Sequence, residues 1–424
     1  MPAPEATATM LSPPQSAEAV PDCVDALLQA AVSARASDLH LVPLQDGLDL
    51  SWRRDGVLNP LGRWTTPLAT NIIARLKVLA GLLTYRVDLP QEGRLRLPWA
   101  TVELRLSTFP TLHGEKAVVR LFVGSGQYRQ LEDLNFPADV YVELQRLLAE
   151  TSGLILIAGP AGSGKTTTAY ACLRELLRTH AGTKSLVSLE DPIEAELPGV
   201  AQSQVHRPTE FTYPLGLRSL LRQDPDVILV GEIRDRETAE TTFQACLTGH
   251  LVLTTFHAGS TAEAISRLAD LGIEPYLLRA GLLGLVCQRL LRRLCDCATW
   301  IEDPVVRQEW GVERSRVPGR CPSCWQTGYH GRLLLAELLL TRAPTVTQAI
   351  LRRMNAWDLQ AAATASGMIP LIERGRSAIA AGSTSAAEVH RVLGARHRSF
   401  NRDPEGSARH VGGIGAERSP PGRG

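Results

Sequence analysis

The central part of the chain, residues 141–290, alternates short apolar runs with segments of helical periodicity. Four of these runs predict buried strands, at residues 154–158, 185–189, 227–230 and 251–255. Strands that alternate with helices usually lie parallel, so the pattern predicts an α/β fold with a mostly parallel sheet. Each run ends in polar residues, and the carboxyl ends of the strands would share one edge, where open sheets of this class bind ligands.

Residues 21–125 have a different pattern, which predicts a separate α+β domain. Helices are expected at residues 24–31 and 71–82, and strands at 36–41, 48–58, 101–108 and 115–122. The Asp55-Gly56 pair stands between alternating apolar and polar positions. Because this dipeptide favours a two-residue turn, the sequence predicts a β-hairpin there.

The remaining segments differ in composition. Residues 1–20, rich in Ala, Pro, Ser and Thr, predict a disordered leader, and residues 126–140 a linker. Helical patterns at residues 333–340, 346–354, 359–365 and 386–393 predict a helical region over residues 333–394. Residues 395–424 consist largely of Gly, Pro, Arg and Ser and predict a flexible tail.

A glycine-rich motif joins the first central strand to the helix that follows it. It fits G-x-x-x-x-G-K-[ST] and comprises Gly159, Pro160, Ala161, Gly162, Ser163, Gly164, Lys165, Thr166 and Thr167. In this setting the loop N–H groups and the positive end of the helix dipole cradle a polyphosphate. Lys165 would reach the β- and γ-phosphates, and the Thr166 hydroxyl would ligate Mg²⁺. The motif therefore predicts an ATP site rather than a plain glycine-rich connector, with the linker forming a loop on the adenine side.

Acidic residues and histidines follow the other predicted strands. Glu232 comes after the third strand and Glu190 after the second. A carboxylate at a strand exit can hold Mg²⁺ or orient the attacking water, and Glu232 is the stronger candidate, acting through a metal-bound water. His257, after the fourth strand, would donate to the γ-phosphate and report its loss, and His250 is a weaker candidate. Taken singly, each of these residues also fits a solvated position with no catalytic role.

Composition narrows the class of protein. The 424 residues carry a net charge of +1, which disfavours an overall electrostatic footprint for nucleic acid or a membrane surface. No apolar stretch approaches the eighteen residues of a transmembrane helix. The first positively charged side chain is Arg35, so the basic region of a secretory signal is missing. The expected location is the cytoplasm.

Four of the eight cysteines cluster within residues 291–332. Cys295 and Cys297 form a C-x-C pair, and Cys321 and Cys324 form a C-x-x-C pair. Four thiolates supply a tetrahedral Zn²⁺ site, and such clusters in a reducing compartment bind metal more often than they form disulfides. A cluster of free thiols is the alternative, because the first pair is one residue shorter than the usual C-x-x-C.

Together these motifs resemble the secretion ATPases of type II secretion and type IV pilus assembly. The phosphate loop, the acidic box at residues 190–194, the Gly231-Glu232 strand and the histidine box occur in that family's order, followed by residues 288–290. Upstream, residues 36–40, 54–58, 75–80, 90–94 and 113–120 are similar to the family's PAS-like N-terminal domain. The resemblance implies a RecA-like P-loop NTPase core over residues 141–394, preceded by a PAS-like domain and carrying a small metal-binding insertion.

The resemblance also implies an assembly and partners. Family members are similar in forming hexameric rings, and in them Arg105 and Arg120 would lie over the triphosphate. Arg218, Arg222 and Arg234 are weaker candidates for contacts across a subunit interface. The implied partners are an inner-membrane platform protein and docking proteins of a secretion or pilus system, which would hold the chain at the inner membrane.

Other functions remain open on the same core. One is a pilus-retraction, DNA-uptake or other nucleic-acid motor, although no direct nucleic-acid contact is expected from the charge balance. Another is a nucleotide-dependent switch that hydrolyses ATP slowly.

Overall fold

The computed structural model describes residues 12–100, 102–121, 130–206 and 209–394. The predicted tail, most of the predicted leader and the first residues of the predicted linker lie outside the described residues. At the end of the predicted leader, residues 17–19 form a 3₁₀ turn that runs into the first helix. Within the described residues, no helix has the length and apolar character needed to cross a membrane.

The N-terminal domain combines two helices with a six-stranded antiparallel sheet. Its helices are α1 (Val20–Ser33) and α2 (Ala69–Leu79), and its strands are β1 (Asp38–Leu44), β2 (Gly47–Arg54), β3 (Val57–Thr65), β4 (Gln91–Leu95), β5 (Leu104–Thr111) and β6 (Gly114–Leu121). The strand order is β3-β2-β1-β6-β5-β4. Asp55 and Gly56 both have positive φ angles, 47° and 82°, which confirms the predicted hairpin turn between β2 and β3. The apolar pattern does not predict strand β4, because its sequence is mostly polar.

The second domain contains a seven-stranded sheet with helices on both faces. Its helices are α3 (Ala138–Leu148), α4 (Lys165–His180), α5 (Tyr213–Leu220), α6 (Arg236–Leu247), α7 (Thr261–Asp270), α8 (Pro275–Gly281), α9 (Pro304–Trp310), α10 (Pro344–Leu351), α11 (Ala356–Ala365), α12 (Leu371–Ala380) and α13 (Ala386–Leu393). Its strands are β7 (Gly153–Ala158), β8 (Leu186–Glu190), β9 (Ala201–Gln204), β10 (Val227–Val230), β11 (Leu251–Phe256), β12 (Leu282–Leu294), β13 (Thr299–Ile301), β14 (Ser315–Val317) and β15 (Tyr329–Leu340). Strands β13 and β14 pair with each other in a small separate ribbon.

The order of the large sheet is β15-β12-β7-β11-β10-β8-β9. Every pair is parallel except β12 with β15, so the predicted mostly parallel sheet is confirmed. Along β7, Leu154 and Leu156 belong to the apolar core on one face, and Ile155 and Ile157 to the core on the other. Burial on both faces explains why the strand reads as a continuous apolar run.

The prediction of a helix at residues 333–340 is wrong, because this segment belongs to strand β15. Its sequence, Leu-Leu-Leu-Ala-Glu-Leu-Leu-Leu, is apolar almost throughout, and such a run does not separate a helix from a strand buried on both faces. Pairing with β12 over residues 284–294 decides the conformation. Strand β12 is likewise absent from the predicted strands.

Part of the predicted linker is packed onto the second domain. Residues 132–134 form a 3₁₀ turn, and helix α3 begins at Ala138. Leu131 and Phe136 are buried in the core on one face of the large sheet. This stretch therefore closes one side of the second domain.

Candidate nucleotide site and cysteine centre

The glycine-rich motif forms the turn between β7 and α4, and helix α4 begins at Lys165. The Lys165 Nζ donates to the carbonyl oxygens of Gly159 at 2.9 Å and Pro160 at 3.0 Å. Burial lowers the pKa of Lys165, while the charge of Glu232 opposes the shift. The Ser163 hydroxyl is buried without a hydrogen-bond partner among the described residues. An anion placed in the loop would offer Lys165 an acceptor in place of the carbonyl oxygens of Gly159 and Pro160, so the loop fits the phosphates of a nucleotide.

Strand β12 braces this loop through Gln288. The Gln288 Nε2 donates to the carbonyl oxygen of Ser163 at 2.7 Å, and its Oε1 accepts from the Thr168 hydroxyl at 3.0 Å. Gly159 has a φ of 152°, and a Cβ there would lie 2.7 Å from the Gln288 carbonyl oxygen. The close packing explains why this position is glycine. The sequence points to residue 288 only through the family resemblance, because nothing local links it to a loop 125 residues away.

Glu190, at the end of β8, is buried and held by protein donors. Its carboxylate accepts hydrogen bonds from Tyr170 at 2.5 Å, Ser188 at 2.6 Å and Gln202 at 3.2 Å. Because Tyr170 belongs to α4, the carboxylate ties β8 to the helix that follows the phosphate loop. Glu190 therefore has a fixed position at the edge of the site.

Glu194, four residues further along, lines the cavity beside the phosphate loop together with Thr166. Burial raises the pKa of Glu194, and the negative charge of Glu190 adds to the rise. Glu194 is therefore a further carboxylate near the predicted Mg²⁺-binding threonine. It lies within the predicted acidic box, but the sequence does not single it out as a site residue.

Glu232 and His257 are brought together at the exits of β10 and β11. Glu232 forms an ion pair with Arg234, and the His257 Nε2 lies 3.7 Å from the second Glu232 oxygen. Burial and then the charge of Lys165 lower the pKa of His257, which favours its neutral form. A cavity of about 310 Å³ is lined by Lys165, Thr166, Glu232 and His257. The Thr166 hydroxyl and the Glu232 carboxylate are oxygen ligands of the kind that bind Mg²⁺.

His250 precedes β11, whereas His257 follows it. The two histidines therefore lie at opposite edges of the sheet. The Nδ1 of His250 is 3.0 Å from the Ala245 carbonyl oxygen, which ties it to the end of α6. The structure does not bring His250 to the phosphate loop.

A second cavity, of about 500 Å³, opens on the other side of the loop. It is lined by the loop itself and by Leu134, Asn135, Gln288, Leu290, Arg293, Arg332, Leu333 and Ser383. Most of the lining is polar, and four leucines, at positions 134, 290, 333 and 334, supply its apolar part. The cavity borders the segment that the sequence predicts to lie on the adenine side.

The two candidate arginines of the N-terminal domain lie directly opposite each other on β5 and β6. Arg105 is 2.8 Å from Glu103, and Arg120 is 3.1 Å from Asp38. Both line an open groove on the sheet. The charge of Arg120 also partly offsets the raised pKa of Glu194, so this face of the N-terminal domain is within electrostatic reach of the acidic box.

The weaker arginine candidates are ion-paired or surface residues of the second domain. Arg218 lies 2.7 Å from Glu237, and Arg234 lies 3.9 Å from Asp191 in addition to its pair with Glu232. Arg222 follows the end of α5 and is exposed to solvent. Of these three, Arg234 is the one that touches the candidate site.

The four clustered cysteines converge where β12 ends and β15 begins. We call residues 295–328, which hold them, the cysteine knuckle. The sulfur atoms all lie within 4.8 Å of one another, with separations of 3.7 Å for Cys295 and Cys321, 3.9 Å for Cys297 and Cys324, and 3.6 Å for Cys321 and Cys324. A tetrahedron with Zn–S bonds of about 2.3 Å places its sulfurs about 3.8 Å apart. The short C-x-C pair therefore still fits a tetrahedral zinc centre.

Comparisons with known proteins agree on a family. The model described as type II/IV secretion system protein matches residues 14–391. The chain is 40% identical over 371 residues to the type II secretion system protein HxcR of Pseudomonas aeruginosa, covering 87% of this chain and 76% of that protein. It is 37% identical over 377 residues to the type IV pilus assembly ATPase PilB of Thermus thermophilus, covering 86% of this chain and 42% of that protein.

Solved structures agree on the fold. The ATPase DotB of Legionella pneumophila has a TM-score of 0.63 at 21% identity, over 87% of this chain and 94% of that chain. The pilus retraction motor PilT with bound ADP has a TM-score of 0.51 at 24% identity, over 86% of this chain and 98% of that chain. With a family match over most of its length and a complete phosphate loop, the chain belongs to the ATPases of the type II/IV secretion system family.

Proposed function

We propose that this chain is a hexameric motor that hydrolyses ATP to power assembly of a type II secretion pseudopilus or a type IV pilus. The observation that carries the proposal is the convergence of Lys165, Thr166, Glu232 and His257 on one cavity at the carboxyl edge of the sheet. Secretion and pilus assembly are the activities named for the relatives. The proposed partner is an inner-membrane platform protein, with the chain held at the cytoplasmic face of that membrane.

In this proposal the triphosphate binds to the phosphate loop and replaces the hydrogen-bond partners of Lys165. Lys165 leaves the carbonyl oxygens of Gly159 and Pro160 and turns to the β- and γ-phosphates. Thr166 and the nearby carboxylates of Glu194 and Glu232 would hold Mg²⁺, which when bound neutralises charge on the phosphate oxygens. Because the loop is already braced by Gln288, little reorganisation is needed on binding.

Glu232 is the residue that we assign to the attacking water. Its carboxylate is held by Arg234 and lies next to His257, so its direction is fixed before a nucleotide arrives. His257, whose pKa is lowered by partial desolvation and by the charge of Lys165, would donate a hydrogen bond to the γ-phosphate. Glu190 would orient helix α4, and with it the phosphate loop, through Tyr170.

Arg105 and Arg120 would complete the site from the N-terminal domain. Guanidinium groups stabilise the charge that develops on a transferring phosphoryl group. Both side chains lie on one face of the domain, and the charge of Arg120 already acts on Glu194. Closure of this face over ATP and its release after hydrolysis would supply the mechanical stroke. Arg218 and Arg222 are proposed only as contacts between subunits of the ring.

The cysteine knuckle would bind one Zn²⁺ through Cys295, Cys297, Cys321 and Cys324. The sulfur separations support a structural rather than a catalytic site, because all four coordination positions are filled by protein ligands.

The proposal is tested by steady-state ATP hydrolysis with the Glu232→Gln variant. Loss of a group that acts in the transition state lowers turnover by about 10²–10³-fold. The matched control is Glu240→Gln on α6, a side chain that pairs with Arg236 away from the cavity and leaves turnover unchanged.

Wild-type turnover no higher than that of Glu232→Gln would overturn the motor and favour a nucleotide-dependent switch. Stimulation by DNA would favour a nucleic-acid motor instead. The assembly function itself requires that disruption of the gene in its host abolishes secretion or piliation, and that the Glu232→Gln allele fails to restore it.

A further inference from the structure

A single side chain of the cysteine knuckle belongs to the apolar cluster of the N-terminal domain. It is Trp325, the residue after Cys324. Its ring centroid is 5.5 Å from that of Trp52, edge to face at 82°, and the Arg54 guanidinium lies 5.3 Å from the Trp325 ring centre. Edge-to-face rings and a cation over an aromatic face are both attractive arrangements.

The neighbouring contacts come from the same hairpin. Asp55, at the tip of β2–β3, accepts a hydrogen bond from the Gly331 N–H at 3.2 Å and lies 3.9 Å from Arg332. Arg332 also lines the larger cavity beside the phosphate loop. The hairpin therefore touches the second domain at the knuckle and at the rim of the nucleotide pocket.

The backbone at Trp325 is held in an unfavourable conformation. Trp325 and Gln326 have φ angles of 56° and 61°, in the left-handed region that bulky residues rarely adopt. Two hydrogen bonds close the turn, from the Trp325 N–H to the Pro322 carbonyl oxygen and from the Gln326 N–H to the Cys321 carbonyl oxygen, each 3.0 Å long. The direction of the indole thus follows from the geometry of the Cys321–Cys324 turn.

The cysteine turns have little apolar core of their own. Among the described residues, the buried apolar cluster beside them consists of Leu294, Ala298 and Tyr329. Val306 and Val312, further along the knuckle, pack instead on the core of the large sheet. Short segments with so few buried side chains need a metal or another crosslink to remain folded. Metal ligation would therefore fix the Cys321–Cys324 turn and, through it, the indole.

We propose that Trp325 is an interdomain anchor, seated against Trp52 and Arg54 by metal ligation of the cysteine knuckle. The metal-dependent part rests on the zinc centre proposed above, and the contact itself does not. Loss of metal frees the turn, withdraws the indole and loosens the β2–β3 hairpin beside the nucleotide pocket. The knuckle is in this sense a structural link between the two domains.

The test is hydrogen–deuterium exchange of the full chain, read on peptides that cover β2 and the hairpin turn. Trp325→Ala is expected to speed exchange there by roughly tenfold, from the loss of the aromatic pair and the cation contact. Trp300→Ala is the matched control, since Trp300 lies on the knuckle ribbon but packs near Arg314 instead. Trp325→Phe, which keeps a ring, is expected to retain most of the protection and covers the case in which the alanine variant does not fold.

Chelation of the wild type is expected to reproduce the exchange of Trp325→Ala, and chelation of Trp325→Ala to add nothing at the hairpin. Metal content, measured by elemental analysis, should be equal in the wild type and Trp325→Ala. Hairpin exchange in Trp325→Ala equal to that in Trp300→Ala would overturn the anchor. Unchanged hairpin protection in a chain shown to be metal-free would overturn its metal dependence. ATP turnover of the same samples reports separately on the proposed motor function.

Discussion

The phosphate loop and the cysteine knuckle both depend on strand β12, but they are stabilised in different ways. At Gln288 the strand braces the phosphate loop with a buried amide, and the large sheet around it carries extensive apolar cores on both faces. At Cys295 the chain has left the sheet and entered the cysteine turns, whose described apolar cluster has three members.

This difference indicates what stabilises each region. The phosphate loop is braced by the buried Gln288 amide and by the large sheet beside it, so protein contacts support its shape. The knuckle brings its four sulfur atoms together without a comparable core, so a metal would supply the missing stability. Removal of the metal and substitutions at two points along β12 should therefore affect the two regions differently.

Metal removal is expected to have the largest effect. Binding of a structural Zn²⁺ contributes on the order of 10 kcal/mol to the folding of small zinc modules. Chelation should therefore open residues 295–328 to limited proteolysis, while a fluorescent ATP analogue still binds at the phosphate loop. Equal loss of nucleotide binding and of protease resistance would contradict the proposed independence of the two regions.

The second-largest effect is expected at Arg292, which lies on β12 between the two regions and is paired with Glu388. The Glu388 side chain is fully buried and lies 2.8 Å from Arg292 and 2.5 Å from Arg391. Glu388→Gln is expected to lower the free energy of unfolding by about 2 kcal/mol, because it leaves a partly buried arginine without its counter-charge. The measurement is denaturant unfolding, and the control is Glu373→Gln, which alters a more exposed ion pair. Equal losses of stability in the two variants would contradict the special role of the buried pair.

The same pair predicts a dependence on pH. Burial alone would raise the pKa of Glu388, but hydrogen bonds from Arg391 and Arg292 outweigh it and the pKa is lowered. The stabilisation is therefore fully present above the ordinary pKa of glutamate and is lost as the pH falls through the lowered value. Glu388→Gln should remove this part of the acid sensitivity, and an unchanged pH profile of unfolding would argue against the assignment.

The smallest effect is expected at the phosphate loop. Gln288→Leu removes two hydrogen bonds that brace the loop, at a net cost of about 1 kcal/mol. Nucleotide affinity, measured by titration calorimetry, should weaken by roughly fivefold while the metal content stays unchanged. The control is Gln244→Leu on the exposed side of α6, and an equal loss of affinity in both variants would rule out a bracing role.

The sequence by itself determined the features that depend on local chemistry. The phosphate loop of residues 159–167 needs only a strand, a turn and a helix in succession, and the Asp55-Gly56 hairpin needs only its own dihedral angles. The spacing of the cysteines likewise predicted their grouping, which agrees with the sulfur separations. The four central strands were predicted because apolar runs bounded by polar residues are a short-range signal.

Only the tertiary structure decided which residues meet across the chain. It brought Glu194 to the same cavity as Thr166, and it set Gln288 against a loop 125 residues earlier. It also made residues 333–340 a strand, because the run is apolar on every face and only pairing with β12 fixes its conformation. The contact of Trp325 with the N-terminal domain belongs to the same class, since long-range packing leaves no periodic or local signal in the sequence.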